Sequence, residues 1–329
     1  AWRSVLAMGK SDHKWISDLV NPIGEDLSSG AAELALRAIS IFQAVMSERE
    51  GQPQQSDQGA VTLKDNLKFA ARALVDCQPA MAPIFHLANS VLIAIDDSQP
   101  AIKTGEIIKR CQAALNEFER RLCESAAKIA DQAFELIEPG GFVFAYSFSS
   151  TVVSALLNAR AKGRYFRVAC TEARPSLEGR KLACQLAQGG IEVVHTFDNA
   201  MGLVLPNCAV AFMGCDCVAR PGAVNKVGSW LLAVGCRELN IPLYALSGTE
   251  KFVGEDRLFE FEKHTRPGAE VWDEAPKGIS MLNNQYDLVP FSLITGLVTE
   301  RGILHEDDVA EFASNYVVHE ALKLETAKF

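Results

Sequence analysis

EPGGFVFAYSFSST, residues 138 to 151, is where the chain changes its period. Pro139, Gly140 and Gly141 break whatever precedes them, because a Pro-Gly-Gly sequence favours a turn. Phe142 to Tyr146 then form a short unbroken apolar run, the pattern of a strand buried on both faces. Further short β-rich runs follow at Phe166 to Cys170, Ile191 to Thr196, Ala209 to Met213 and Pro242 to Leu246, separated by helical stretches of ten residues or more. That alternation predicts a parallel sheet covered by helices. Upstream the spacing is helical. Leu34, Ala38, Phe42 and Val45 form one stripe, and Ile107, Cys111, Leu115, Phe118, Leu122 and Ile129 form another. The expected fold class is therefore α/β, with a helical domain over residues 1–138 and a parallel-sheet domain over 139–329. Glu48 to Gly59 reads as an exposed loop, and Pro79 and Pro83 mark a second break in the helical half.

At 329 residues two domains are the natural expectation. The net charge of -9 argues against general binding of nucleic acid, which needs a surplus of cations on some face. The nine scattered cysteines read as reduced thiols. The longest apolar stretch, Met81 to Ile95, is interrupted by His86, Asn89 and Ser90, which argues against a membrane span. No basic segment followed by an apolar core opens the sequence, so a cytoplasmic setting is expected.

In open α/β sheets ligands bind beyond the carboxyl ends of the strands. The residues just past each run form a polar set. Ser147, Ser149, Ser150 and Thr151 follow the first, Glu172 and Arg174 the second, Asp198 and Asn199 the third, Asp216 the fourth, and Thr249, Glu250 and Lys251 the fifth. Ser149 to Thr151 open a helix whose hydroxyls and free backbone N–H groups suit a phosphate. Asn225 and Lys226 precede a second helix start and add a cation there. The blander reading of such residues is that they cap helices.

There is no glycine-rich dinucleotide fingerprint, Walker loop, paired-histidine metalloprotease motif or nucleophile elbow. Hydride transfer, nucleotide hydrolysis and serine hydrolase chemistry recede, and no cofactor is expected. Cys208, Cys215 and Cys217 lack the paired second half of a zinc motif, so no metal is expected either. His195, inside a strand run, reads as a packed residue.

Four segments in series carry a resemblance: TEARPSLEGRKLA (Thr171 to Ala183), GCDCVARPGAVNKVGSW (Gly214 to Trp230), TEKF (Thr249 to Phe252) and YDLVPFSLITGLVTERGIL (Tyr286 to Leu304). Their order and spacing resemble the superfamily of initiation factor 2B alpha, beta and delta subunits, methylthioribose-1-phosphate isomerase and ribose-1,5-bisphosphate isomerase. DLSSGAAELALRA (Asp26 to Ala38) and CQPAMAP (Cys77 to Pro83) resemble it more loosely. The resemblance implies a Rossmann-like second domain, a ligand cleft between the domains and a dimer or higher homo-oligomer. It implies a phosphorylated small molecule as the partner. In the isomerases of this superfamily a cysteine after the first strand and an aspartate shuttle protons as an aldose phosphate opens and becomes a ketose. Asp216 falls on that aspartate, Asn225 and Lys226 on a substrate-binding pair, and Lys251 on a phosphate-contacting lysine. Ser147 replaces the cysteine. Ser29, followed by Gly30, replaces the arginine of an Arg-Gly-Ala loop, and Gln78 replaces the arginine of an Arg-Pro-Thr motif.

A serine needs an adjacent base before it accepts a proton near neutrality, so Ser147 alone is a poor substitute for a thiol. Glu172 or Asp198 is a candidate base. Cys215 and Cys217 flank Asp216 and, in strand geometry, point away from it. Three readings stay open, in order: a regulatory or catalytically weakened binder of a sugar phosphate or nucleotide phosphate, an active aldose-ketose isomerase, and a scaffold acting through protein contacts.

Overall fold

A computed structural model describes residues 13–26, 29–48, 57–79, 81–96, 103–257 and 265–323. The chain divides into two compact units, one holding the residues up to Leu122 together with those from Tyr316 onward, the other Cys123–Asn315.

The first unit is helical. Helices α1 (Lys14–Gly24), α2 (Ala31–Ser47), α3 (Asp57–Cys77) and α4 (Ala82–Ala94) precede α5 (Thr104–Glu135), along which the unit division falls. The periodic stripes do what their spacing requires. Leu34, Ala38, Phe42 and Val45 of α2 are buried, as are Ile107, Cys111, Leu115, Phe118 and Leu122 of α5. Helix α4 is buried from Ala82 to Asn89, His86 and Asn89 included, and opens to solvent at Ile93 near its end. The break foreseen at Pro79 and Pro83 separates α3 from α4, with Pro83 in the first turn of α4 where its missing N–H costs nothing. Of the loop expected at Glu48 to Gly59, residues 49–56 lie outside the described residues, and Asp57–Gly59 belong to α3. Asn89 ties the returning C-terminal segment to this unit: its amide donates to Tyr316 Oη and the Val317 carbonyl, both at 2.9 Å, and accepts from His319 N at 2.8 Å. Among the described residues no helix is long and apolar enough to cross a membrane.

The second unit is the sheet domain. Its elements run β1 (Phe142–Tyr146), α6 (Ser150–Ala161), β2 (Arg167–Thr171), α7 (Glu178–Gln188), β3 (Glu192–Thr196), α8 (Met201–Val204), β4 (Val210–Met213), β5 (Cys217–Ala219), β6 (Gly222–Lys226), α9 (Ser229–Glu238), β7 (Leu243–Leu246), β8 (Tyr286–Pro290), β9 (Gly296–Thr299), β10 (Gly302–Leu304) and α10 (Glu306–Asn315). The main sheet has the order β10-β9-β7-β4-β1-β2-β3, parallel except for the edge strand β10, while β5, β6 and β8 form a small antiparallel sheet. Side chains alternate across the main sheet. Val143, Ala145, Val168, Cys170 and Phe212 pack against α6, α7 and the end of α5, whereas Phe144, Tyr146, Ala169, Ala211 and Met213 pack with Leu232 and Ala233 of α9 and Val309 of α10. This is the Rossmann-like arrangement the sequence implied, with helices on both faces. The five foreseen strands are present. The small sheet, β9 and β10 are additions, since three- to five-residue strands interrupted by Gly and Pro leave little periodic signal. One expectation needs correcting. His195 is exposed rather than packed, because β3 is an edge strand, and its Nδ1 lies 3.3 Å from Cys170 Sγ on the neighbouring strand.

Candidate functional site

Strand order reverses between β1 and β4, so the crevice beyond their carboxyl ends is the topological switch point of the sheet. Tyr146 pairs with Met213, which places Ser147 opposite Gly214 and sets Asp216 two residues further along. Ser147 is 3% exposed and turns the chain with a left-handed φ of 59°. Ser149 then caps α6, its hydroxyl accepting from Val152 N at 3.4 Å. The N–H groups of Ser150 and Thr151 at this helix start have no intrahelical acceptor. Gly214 is a glycine because a Cβ there would lie 2.6 Å from Ser149 Cβ.

Each sheet brings in one cation. Lys226, at the end of β6, is 4% exposed, and Lys251, after β7, is 5% exposed. Lys226 Nζ donates to Ser176 Oγ at 2.6 Å and stands 3.5 Å from Glu178 Oε1. Ser176 Oγ donates to Glu178 Oε1 at 2.9 Å, and Ser147 Oγ donates to Glu178 Oε2 at 2.8 Å. Lys251 Nζ donates to the Cys215 carbonyl. An ammonium carries three donors, and among the described residues this carbonyl is the acceptor that Lys251 Nζ meets. Asn225 Nδ2 donates to Ser229 Oγ at 2.8 Å, tying β6 to the start of α9. The carboxyl of Asp216 sits deep enough that burial, opposed by Lys251 and Lys226 and reinforced by the charge of Glu178, pushes its pKa up to about 6. Burial, with Asp216 and Glu178 adding to it, likewise holds the Tyr286 hydroxyl well above its usual range. These groups therefore share one electrostatic site.

Other polar loop ends are satisfied internally. The Asp198 carboxylate accepts from the backbone N–H groups of Ala173 and Arg174, both at 2.9 Å. Glu172 pairs with Arg180, and Arg174 itself is exposed. The foreseen helix after Asn225 and Lys226 is α9, but Asp287 already occupies its start, accepting from Gly228 N at 2.7 Å and Trp230 N at 3.1 Å. Glu300 accepts from Thr249 N at 3.1 Å and from its hydroxyl. Burial raises the Glu250 carboxyl. Cys215 and Cys217 are buried, and burial pushes the Cys215 thiol up to about 12, so it stays protonated.

Ser29, Gly30 and Gln78 come together in the first unit around Asp26. Gln78 Nε2 donates to the carbonyls of Ile23 at 2.8 Å and Asp26 at 3.2 Å. The Asp26 carboxylate accepts from Ser29 N and Ser29 Oγ, both at 2.9 Å, and pairs with Arg37. Gly30 is the N-cap of α2.

Sequence reading passed over Glu178 and Ser176. Both lie inside the quoted Thr171 to Ala183 segment, and the signal was there in Gly179. A Cβ at that glycine would lie 1.7 Å from the Thr171 carbonyl, so the chain must press the start of α7 onto the end of β2, which sets Glu178 at the strand ends.

The profile of the initiation factor 2 subunit family matches residues 27–306. The chain belongs to that family. A Pyrococcus abyssi relative named putative translation initiation factor eIF-2B subunit 2-like is 30% identical over 290 residues, 88% of this chain and 96% of its own length. The ribose 1,5-bisphosphate isomerase of Methanocaldococcus jannaschii is 25% identical, with 73% of this chain and 77% of that protein aligned. The crystal structure of the Pyrococcus horikoshii OT3 translation initiation factor eIF-2B superposes with a TM-score of 0.73 at 26% identity, covering 89% of this chain and 97% of that one. Family membership thus spans initiation-factor-named and isomerase-named relatives alike.

Proposed function

We propose that this initiation factor 2 subunit family member binds a small phosphorylated ligand, a sugar phosphate or a nucleotide phosphate, at the carboxyl ends of β1 and β4, in a regulatory or catalytically weakened role. The observation that carries this reading is the pair of buried ammonium groups, Lys226 and Lys251, beside a carboxyl whose pKa is raised to about 6. Buried lysines are rare unless paired, and among the described residues Lys251 Nζ meets one acceptor, the Cys215 carbonyl, of the three it can serve. The start of α6 adds N–H donors of the kind that hold phosphate. The name of the Methanocaldococcus relative supports a sugar phosphate as the ligand. The protein is taken to act in the cytoplasm as a homo-oligomer, with no direct contact to nucleic acid.

The test is thermal-shift screening against pentose, methylthiopentose and hexose phosphates and nucleoside monophosphates, because a ligand of the native state raises apparent stability. A stabilising compound whose effect disappears in Lys251→Ala is the expected result. A panel without any stabilising compound removes this reading in favour of a scaffold acting through protein contacts. A second reading, turnover of the ligand, is favoured by the contact between Ser147 and Glu178.

A further inference from the structure

Glu178 fills an anion-binding cradle with an anion of the chain's own. Its Oε1 accepts from Ser176 Oγ at 2.9 Å and lies 3.5 Å from Lys226 Nζ, and its Oε2 accepts from Ser147 Oγ at 2.8 Å. Ser147 follows β1, Ser176 lies between β2 and α7, and Lys226 ends β6, so donors from three separate segments converge on one carboxylate. Hydroxyl and ammonium donors aimed at neighbouring oxygens suit a phosphate as well as they suit a carboxylate. An acidic residue at the start of α7 needs none of these contacts to favour the helix dipole. The two charged partners are not held alike. The Lys226 side chain is 5% exposed and stands on a strand paired with β8, its carbonyl accepting from Ser229 Oγ at 2.6 Å. The Glu178 side chain is 25% exposed, and its 3.5 Å approach to the ammonium is longer than the 2.6 Å bond from that ammonium to Ser176. A buried ammonium needs a counter-anion, and of this pair the carboxylate on the solvent side is the one that can be exchanged. Asp216 and Tyr286 both feel the charge of Glu178, so the cradle adjoins the site at the switch point.

We infer that Glu178 is a resident competitor for the ligand's phosphate: while its carboxylate holds Ser147, Ser176 and Lys226 this part of the site is closed, and binding requires Glu178 to swing toward solvent. This rests on the ligand reading above. The exchange replaces one anion by another at the same three donors, so none of them is left unpaired in either state. Two anions cannot share the cradle, because like charges set side by side repel strongly where water is excluded. Wild-type affinity for phosphate is therefore lowered by the cost of taking Glu178 off its partners, which acts as a small population of the open state would. Glu178 touches no reacting atom here. It regulates access to Lys226, and a loss of its charge opens the cradle.

The experiment is calorimetry on the full chain with inorganic phosphate, ribose 5-phosphate and AMP as probes, each variant first checked by urea melt. Glu178→Gln and Glu178→Ala should each lower the Kd of at least one probe by about tenfold or more, because the like charge is gone. Adding Lys226→Met to Glu178→Ala should erase the gain. Glu270→Gln separates displacement from a general change of field: the Glu270 carboxylate also feels Lys226 but is held by Arg266 and Asn283, and its loss should move Kd by less than about twofold. Tightening of inorganic phosphate alone assigns the cradle to the free ion, and tightening of ribose 5-phosphate or AMP assigns it to the esterified group; either upholds the inference. Binding by the Glu178 variants alone also upholds it, with the wild-type cradle fully shut. A probe that the wild type binds and the Glu178 variants bind no tighter overturns the inference and leaves the ligand reading standing, as does a gain in Glu270→Gln as large as theirs. If neither wild type nor any variant binds a probe, the phosphate-ligand reading fails and the inference fails with it.

Discussion

Replacing Asp216 by Asn should make the protein more stable above neutral pH, and the size of the gain follows from the site. Burial raises this carboxyl from its ordinary value of 3.8 to about 6, even with Lys251 and Lys226 pulling the other way. Between those two values the folded state binds a proton that the unfolded chain has already released. Stability from this group is therefore fully present below about pH 4, drains away as the pH rises toward 6, and is gone above it. The accumulated cost at pH 7.5 is about 3 kcal/mol, from roughly two pH units at about 1.4 kcal/mol each. For a domain the size of the second unit that corresponds to about 6–12 °C in Tm. Asparagine keeps the shape and carries no charge, so it escapes the cost. The assay is a pair of thermal or urea melts of wild type and Asp216→Asn at pH 4 and pH 7.5. The variant should gain over the wild type by about 3 kcal/mol at the higher pH and by little at the lower. A difference that stays flat across the range, or a wild type favoured at pH 7.5, would show that the two lysines outweigh burial and that the carboxyl is an ordinary ion pair. The same variant should lose any isomerising activity, so stability and function would move in opposite directions, as is common at sites that carry strained or desolvated groups.

Gly228→Ala should destabilise the second unit severely, because φ is 102° there and the new Cβ would lie 1.9 Å from Tyr146 Oη; adding Tyr146→Phe should recover part of the loss, read by urea melts. Tyr146→Phe alone removes a 2.6 Å bond to the Val227 carbonyl and should cost about 1 kcal/mol in the same melts. Asp287→Ala strips the start of α9 of its acceptor for Gly228 N and Trp230 N and should cost about 1–2 kcal/mol, with faster hydrogen exchange at those two amides. Lys251→Met keeps most of the buried stem and removes the ammonium, so calorimetry should show phosphate-ligand binding lost while the fold survives.

Much of the fold was legible because it is written in period. Phe142–Tyr146 is an unbroken apolar run whose bounds the structure reproduces, and the helical stripe from Ile107 to Leu122 becomes the buried side of α5. Asp216, Lys226 and Lys251 were also legible, through their place in motifs that resemble a family. Glu178 was not singled out. Its acidic side chain at the start of a helix looks like many first-turn carboxylates, and its partners Ser147 and Lys226 lie 31 and 48 residues away in sequence. Asp198 and Asp287 show the converse. Their side chains are spent on backbone N–H groups of loops 24 to 59 residues distant, which no local pattern encodes.

By itself, the order of residues determined the α/β class, the helical first half, the five parallel strands foreseen and the family motifs, since each depends on local spacing or on short segments read in series. The tertiary structure alone decided which carboxylate meets Ser147, which loop amides are already occupied, and that burial rather than the neighbouring lysines dominates Asp216. Those outcomes depend on distances and on exclusion of water across strands joined by long crossovers, and both arise only when the sheet is assembled.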